Sequence, residues 1–248
     1  MTPHYLADLG PVIQALQLSG LPLEESERET MRWMARDAGL QPGDRILDAG
    51  CGVCGPAIYL ARELPDVTVE AITLSPVQRD IAATRIREAG LQERIQVQVA
   101  DYHNAPFASG SFDAVLFFES ACYSPNPVAL YREALRLLRD GGTLYVKDPF
   151  RKEGELTEDE KRGIAQVDEL YESRIRSIGE EEQAIARAGF AHVEVRNLDD
   201  LFDDIRYRKA MFEPGQLDNT AARSGLGEHH KLAYPPPLLG YRLRAVKA

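Results

Sequence analysis

Cysteine is scarce in this chain. Cys51, Cys54 and Cys122 are the only three among 248 residues, and so low and odd a number does not support the disulfide framework of a small secreted domain. No apolar run approaches the roughly 18 residues that a membrane-spanning helix requires. The N-terminal residues MTPHYLADLG also lack the basic and apolar regions of a signal peptide. We therefore expect a cytoplasmic protein with no membrane span.

Positive charge is also in short supply. The chain has 29 Lys and Arg against 39 Asp and Glu, which makes its formal net charge -10. Binding to a nucleic-acid backbone needs clustered Lys and Arg, because each phosphate contact is a contact between charges. The charge balance therefore disfavours nucleic acid as a partner. It leaves the oligomeric state open, with a homodimer as one expected assembly.

The length and the apolar content suit one large domain. Hydrophobic residues make up 44% of the sequence, which is normal for a globular protein with a core. We expect a single domain over residues 1–248, with its core at about 40–150 and 185–248. Cap elements are expected at about 1–38 and 150–237.

Strand patterns and helix patterns alternate along much of the chain. Apolar runs predict strands at 45–49, 67–72, 95–100, 112–118 and 143–147, followed by two late strands at 190–198 and 238–246. Helices are predicted at 24–38, 56–64 and 76–90, and from 127 to a stop at Gly141-Gly142. This rhythm predicts βαβ units, and therefore a parallel sheet in an α/β fold.

The most informative stretch is ILDAGCGVCG, at residues 46–55. A buried strand that runs into a glycine-rich loop and then a helix is typical of a site for a nucleotide-type cofactor, since glycine allows close backbone approach. Such a loop also occurs in dinucleotide-binding folds. Asp48, two residues before Gly50, favours a cationic ligand over a pyrophosphate. Cys51 and Cys54 could form a redox or zinc pair, but inside this loop we interpret them as small apolar residues.

The Asp-x-Gly-x-Gly loop resembles the first motif of the class I S-adenosylmethionine-dependent methyltransferases, and the resemblance covers about residues 44–148. It implies a Rossmann-like, seven-stranded and mostly parallel sheet with helices on both faces, to which helical cap elements are added. It implies S-adenosylmethionine as the cofactor and S-adenosylhomocysteine as the product. In this family the loop holds the methionine end of the cofactor, which here would involve Asp48, Gly50, Cys51 and Gly52.

Two further strand ends extend the resemblance. The segment TLSPVQ is similar to that of the cyclopropane-fatty-acid-synthase and prenyl-diphosphate C-methyltransferase branch, which implies ribose contacts for Thr73, Leu74 and Gln78. Most family members carry an acidic residue where this chain has Thr73. At the end of the third strand, Asp101 matches the residue that accepts a hydrogen bond from the adenine amino group, and Tyr102 offers a flat face to the ring. A loop Asp and a surface Tyr are the structural alternative.

The segment FFESACYSP, at residues 117–125, resembles the sterol and geranyl-diphosphate C-methyltransferases. The resemblance implies that Glu119 lies beside the cofactor's methyl group and that Tyr123 is a second catalytic residue. Methylation of an alkene carbon creates a carbocation, which needs a negative or π-rich wall and then a base. An ionised Glu119 could supply both. An end-of-strand carboxylate also suits a substrate amine, so N- or O-methylation of a small metabolite stays open, as does a non-catalytic cofactor-binding protein.

The acceptor is expected to be a small molecule, with an isoprenoid alkene or a prenyl diphosphate as the leading class. Aromatic and basic side chains are the candidates for binding it: Trp33, Phe118, Phe150, Arg206, Tyr207 and Arg208. Arginine suits the oxygens of an anionic substrate. The segment DDLFDD superficially matches a magnesium-binding box, and magnesium would fit a diphosphate substrate, but a solvated charged helix face is the favoured interpretation. We expect no resident metal site.

Overall fold

The structure is a computed structural model that describes residues 31–198 and 238–248. Its centre is a seven-stranded sheet with the strand order β3-β2-β1-β4-β5-β7-β6. The strands are β1 (Arg45–Ala49), β2 (Thr68–Thr73), β3 (Ile95–Val99), β4 (Phe112–Phe118), β5 (Leu138–Arg151), β6 (Val193–Asn197) and β7 (Leu238–Val246).

Only β7 runs against its neighbours in this sheet. Strands β1 to β5 pair in parallel, whereas β7 lies antiparallel between β5 and β6. The carboxyl ends of the first five strands therefore meet at one edge of the sheet, where α/β proteins bind ligands. The order and the directions confirm the expected seven-stranded, mostly parallel architecture.

Helices cover both faces of the sheet. They are α1 (Gly55–Glu63), α2 (Pro76–Glu88), α3 (Pro127–Leu137), α4 (Glu158–Tyr171) and α5 (Ile178–Ala188). A core cluster on one face joins α1, α2 and the helical residues 31–37 to the sheet. A second cluster on the other face joins α3 and α5. A smaller cluster holds α4 against Cys122. No helix in the described part of the chain is long and apolar enough to cross a membrane.

Helix starts follow local signals in the sequence. The Ser75 hydroxyl accepts a hydrogen bond from the Gln78 amide at 3.2 Å, and Pro76 opens α2. The Asn126 side chain caps α3 in the same way, through the Ala129 amide at 3.1 Å. Ser, Asn and Pro stabilise these positions because the first helical amides have no partner within the helix.

The predicted end of α3 is wrong, and so is the predicted extent of the fifth strand, 143–147, because β5 spans Leu138–Arg151. We expected α3 to run to Gly141-Gly142, but it ends at Leu137, and β5 begins at Leu138. Leu138 already has an extended backbone, with ψ 138°. The glycines pair instead with the end of the chain, since the Gly141 amide donates to the Lys247 carbonyl at 2.9 Å. A partner distant in the sequence thus overrides the local stop signal.

Candidate active site

The glycine-rich loop leaves β1 at the carboxyl edge of the sheet. The amides of Gly50 and Cys51 both donate to the Ile72 carbonyl at 2.9 Å, which ties the loop to β2. Gly50 has φ +87°, and a Cβ there would lie 2.5 Å from the Ser120 Cβ. Gly52 has φ +52°, and its missing Cβ would meet nothing within 4 Å. Gly50 thus lets β1 pack against the end of β4, while Gly52 leaves room for a ligand.

Asp48 carries the one carboxylate of the segment 46–55. Its side chain is 1% exposed, and its Oδ2 atom accepts no hydrogen bond from any described residue. Burial raises its pKa to about 7, since an ionised carboxylate is costly away from water. A cationic ligand would restore the ionised form. The site therefore fits the ammonium-bearing end of S-adenosylmethionine, with Asp48, Gly50, Cys51 and Gly52 in position to hold it.

The end of β2 presents a mixed polar and apolar surface. The Thr73 hydroxyl donates to Gln78 Oε1 at 2.7 Å, and the Ser75 amide donates to the same hydroxyl at 3.2 Å. Leu74, by contrast, is 66% exposed, which is a large exposed fraction for an apolar side chain of this size. These three predicted ribose contacts are therefore adjacent in space. Their contact with a cofactor stays a prediction.

The loop after β3 contains a chain of hydrogen bonds. Asp101 Oδ1 accepts from the main-chain amide of His103 at 2.8 Å and lies 2.9 Å from its ring Nδ1. His103 Nε2 lies 2.9 Å from the Ser124 hydroxyl. Burial acts to raise the pKa of Asp101, but the His103 hydrogen bonds outweigh it and the net pKa is lowered. The Tyr102 hydroxyl donates to the Ser120 carbonyl at 3.2 Å, so Tyr102 joins this loop to the end of β4.

Glu119, immediately after β4, lies in an ion pair. Its carboxylate contacts the ammonium of Lys147 on β5, and its amide donates to the Lys147 carbonyl at 2.7 Å. Lys147 pairs in register with Phe118, so these two side chains share a face of the sheet. Glu119 would point to the opposite face if its backbone stayed extended. Its left-handed φ of 53° brings the carboxylate back towards Lys147.

A 3₁₀ turn, Ala121–Tyr123, follows Glu119. The Ala121 amide donates to Asp148 Oδ2 at 3.2 Å. Burial, and then the negative charges of Glu181 and Glu119, raise the pKa of Asp148 well above its usual value. Tyr123 is 37% exposed. Poor solvation, together with ionisable neighbours that include Glu119, raises the pKa of its phenol, so Tyr123 stays a neutral hydroxyl at the cleft.

The predicted acceptor contacts are only partly brought together. Phe118 is 7% and Phe150 3% exposed, and they belong to core clusters on opposite faces of the sheet. Burial leaves both rings little surface for a ligand. Trp33 packs near the edge strand β6, where the Arg196 guanidinium lies 5.9 Å from its ring centroid. Their acceptor contacts stay predictions. Arg206, Tyr207, Arg208 and the DDLFDD segment lie outside the described residues.

Sequence reasoning missed two polar members of this site, Lys147 and His103. Lys147 ends an otherwise apolar stretch, TLYVK, and that isolated charge was a signal of function. His103 gave no comparable signal, because its role depends on Ser124, 21 residues further along. Among the described residues, no group of three or more His, Cys, Asp or Glu could hold a metal ion. The idea of magnesium on a diphosphate therefore rests on residues that lie elsewhere.

Known proteins resemble this chain in sequence over its central part. Residues 47–146 match the family described as "Methyltransferase domain". The methyltransferase GfsG of Streptomyces halstedii is 35% identical over 127 residues, which are 51% of this chain and 45% of the relative. The 27-O-demethylrifamycin SV methyltransferase of Amycolatopsis mediterranei is 33% identical and covers 64% of this chain and 62% of itself. The cycloartenol-C-24-methyltransferase of Arabidopsis thaliana is 32% identical, with 51% and 38% covered.

Solved structures share the fold over most of the chain. Geranyl diphosphate C-methyltransferase from Streptomyces coelicolor, in complex with Mg²⁺, geranyl diphosphate and S-adenosylhomocysteine, has a TM-score of 0.74 at 20% identity, with 94% of this chain and 87% of that chain covered. The [4+2]-cyclase SpnF has a TM-score of 0.71 at 21% identity, with 97% and 93% covered. Phosphoethanolamine N-methyltransferase 2 of Haemonchus contortus has a TM-score of 0.70 at 21%, with 88% and 52% covered.

The chain spans 38 to 62% of the length of the three curated relatives. The family match runs from within β1 to within β5. Sheet order, glycine loop and family match agree with one another. Residues 47–146 are therefore similar to methyltransferase domains, and the fold is shared with solved methyltransferase structures.

Proposed function

We propose that this protein transfers a methyl group from S-adenosylmethionine to a small-molecule acceptor. The observation that carries the proposal is the buried Asp48 carboxylate, whose Oδ2 has no partner among the described residues, beside the open space at Gly52. A buried carboxylate without a partner destabilises the free protein. A cationic ligand in the loop would relieve that cost.

The ends of three strands bind the donor. The loop after β1 binds the methionine end, Thr73 and Gln78 bind the ribose, and Asp101 binds the adenine amino group. When bound, S-adenosylmethionine supplies an electrophilic methyl carbon on a good leaving group. The protein's contribution is then to place the acceptor atom in line with that carbon and to move a proton.

We assign the proton transfer to Glu119. Its carboxylate contacts the Lys147 ammonium at the carboxyl edge of the sheet, and the two side chains are only 12% and 6% exposed. The left-handed backbone of Glu119 costs energy, and strain of this kind concentrates at functional positions. After methylation of an alkene carbon, a Glu119 oxygen accepts the proton lost from the neighbouring carbon, and the C–H electron pair forms the new double bond.

C-methylation of an isoprenoid alkene, including a prenyl diphosphate, is the acceptor class we favour. It is supported by the segment around Glu119 and by relatives named as sterol and geranyl diphosphate C-methyltransferases. Lys147 weakens one part of this idea, because its ammonium offsets the negative charge with which Glu119 would stabilise a carbocation. Tyr123, with its exposed ring, is then the better cation-stabilising neighbour.

O-methylation or N-methylation is the second candidate. One relative is named for an O-demethylated substrate, and one fold neighbour is an N-methyltransferase. Glu119 would then deprotonate a hydroxyl or hold an amine. The cyclase SpnF has the same fold, so the fold alone does not make a chain a methyltransferase. A cytoplasmic location and a homodimer stay predictions.

Calorimetry with S-adenosylhomocysteine tests the donor site directly. We expect binding to the wild-type chain with a Kd in the micromolar range, about -8 kcal/mol. Asp101→Asn should weaken the binding, whereas Asp140→Asn, at a side chain that is 88% exposed, should not change it. No detectable binding to the wild type would refute the proposed function.

Transfer of a tritiated methyl group to a panel of prenyl diphosphates, sterols, phenols and small amines tests the acceptor class. Glu119→Gln should keep its affinity for S-adenosylhomocysteine and lose roughly 10²–10⁴-fold in turnover, the usual contribution of a general base. Turnover confined to phenols or amines would reject the alkene assignment. Near-normal turnover by Glu119→Gln on the best acceptor would remove the base from the mechanism.

A further inference from the structure

His103 links Asp101 to Ser124 in a chain of hydrogen bonds, and a neutral imidazole gives that chain one direction. An ionised Asp101 carboxylate can only accept, so His103 Nδ1 donates to it across 2.9 Å. In the neutral imidazole, Nε2 then accepts, and the Ser124 hydroxyl donates to it across 2.9 Å. The Ser124 oxygen in turn accepts from the Asn126 amide at 3.2 Å. Each donor in this chain has an acceptor, and no group competes with another.

The hydrogen bonds from His103 occupy one carboxylate oxygen of Asp101 and leave the other available. Oδ1 accepts both bonds from His103, while Oδ2 has no partner among the described residues. The Asp101 side chain is 53% exposed, so little packing restrains it, whereas the His103 side chain is 22% exposed and Ser124 is fully buried. The rigid end of the chain is therefore Ser124, and the Asp101 carboxylate is oriented from there.

We propose that His103 is a positioning residue of the donor site. It holds Asp101 so that Oδ2 faces the adenine amino group, and it anchors that carboxylate to the loop after β4. The Tyr102 ring, with its centroid 4.8 Å from that of His103, helps to keep the imidazole in place. This inference rests on the proposed function, because the role of Asp101 belongs to it.

Adenine discrimination measures this role separately from stability. The test compares the Kd of S-adenosylhomocysteine with that of S-inosylhomocysteine, which carries an oxygen in place of the amino group. The wild type should prefer the adenine compound by about tenfold or more, the value of a hydrogen bond to a charged acceptor. In His103→Phe this preference should fall to about twofold. His192→Phe, at an exposed histidine outside the site, should keep it.

A conservative variant and a double mutant separate positioning from loss of fold. The side-chain amide introduced by His103→Asn can replace the Nδ1 donor, so this variant should recover most of the preference. Combined with Asp101→Asn, His103→Phe should cause no further loss, because both act on the same hydrogen bond. If the wild type binds S-adenosylhomocysteine but His103→Phe keeps full discrimination, the inference is overturned while the proposed function stands. If the wild type does not bind, the proposed function itself fails.

Discussion

The buried Asp48 carboxylate lowers the stability of the cofactor-free protein but favours the binding of a cationic ligand. The side chain is fully buried, and burial raises its pKa to about 7. An unfolded Asp ionises near pH 4, so between about pH 4 and 7 the folded chain holds a proton that the unfolded chain releases. The cost of Asp48 therefore grows as the pH rises through this window and is complete above pH 7.

Asp48→Asn should stabilise the cofactor-free protein and weaken donor binding. The free energy of unfolding of the variant minus that of the wild type should grow by roughly 2–3 kcal/mol from pH 5 to pH 8, because the Asn side chain carries no charge to bury. Urea unfolding at the two pH values gives the gain, and calorimetry gives the loss of affinity. Asp140→Asn is the exposed control. A gain that does not depend on pH would contradict the assignment.

The sequence predicted the strand ends that carry the candidate donor-site residues better than it predicted the partners of these side chains. Asp48, Thr73 and Asp101 lie where strands end, and a strand end can be recognised locally. The pairing of Glu119 with Lys147 depends on the register between β4 and β5, which sets residues 28 positions apart side by side. No local pattern specifies such a register. The sequence therefore did not predict this charged pair across the sheet, although Glu119 and Lys147 each lie in a segment that it singled out.

Among the secondary-structure elements, the 3₁₀ turn Ala121–Tyr123 is held by hydrogen bonds from the Arg176 guanidinium. Arg176 donates to the carbonyls of Ala121 at 2.9 Å and Ser124 at 3.1 Å. It also pairs with the Glu181 carboxylate of α5 at 2.5 Å, where Glu181 is 1% exposed. The planar fork of arginine can make these bonds together, whereas a lysine ammonium is a single point. The turn that follows Glu119 is thus fixed from α5.

Arg176→Lys should loosen this turn without removing the charge. We expect a loss of about 1–3 kcal/mol in the free energy of unfolding, from buried carbonyls that lose their donor, and a lower methyl-transfer rate. The affinity for S-adenosylhomocysteine should fall as well, because Arg176 also holds Ser124, which orients Asp101 through His103. The matched control is Arg174→Lys, at an exposed neighbour, which should change stability by less than about 0.5 kcal/mol. Equal effects of the two variants would refute the role of Arg176.

Element types were predictable where one face of a segment is apolar. The sequence placed β4 at 112–118 and the late strand at 238–246, and both bounds agree with the structure. The end of α3 was not predictable, because the Gly141-Gly142 signal competes with pairing to residues near 247. A pairing partner that lies a hundred residues away outweighs a local helix stop.

At the scale of the whole molecule, a row of three cations crosses the sheet. Lys147 on β5, Arg242 on β7 and Arg196 on β6 are neighbours in register. Like charges placed opposite each other destabilise a sheet unless anions intervene. Asp37, from the helical residues 31–37, pairs with Arg242 at 2.5 Å and with Arg196 at 3.3 Å. The helical segment is thereby locked to the last two strands of the sheet.

Asp37→Asn should therefore destabilise the whole fold. It leaves Arg242, which is 1% exposed, with less compensating charge, and breaking a buried pair costs about 3–5 kcal/mol. Glu63→Gln is the control, because Glu63 meets Arg32 at a pair that is 33% and 40% exposed and should contribute about 1 kcal/mol or less. Thermal and urea unfolding measure both. A comparable loss in the two variants would show that the cation row does not hold the molecule together.

The left-handed backbone at Glu119 offers a practical way to trap the reaction partners. Glycine adopts this conformation at no steric cost, whereas other residues pay for it. Removing the carboxylate by Glu119→Gly therefore relieves the main chain at the same position where it removes the base. Such a chain would keep the donor loop and lack the proton acceptor, while the buried Lys147 ammonium would lose its partner. Crystallised with S-adenosylhomocysteine, which has no methyl group to transfer, it is a form in which an unreacted acceptor could be seen beside the donor site.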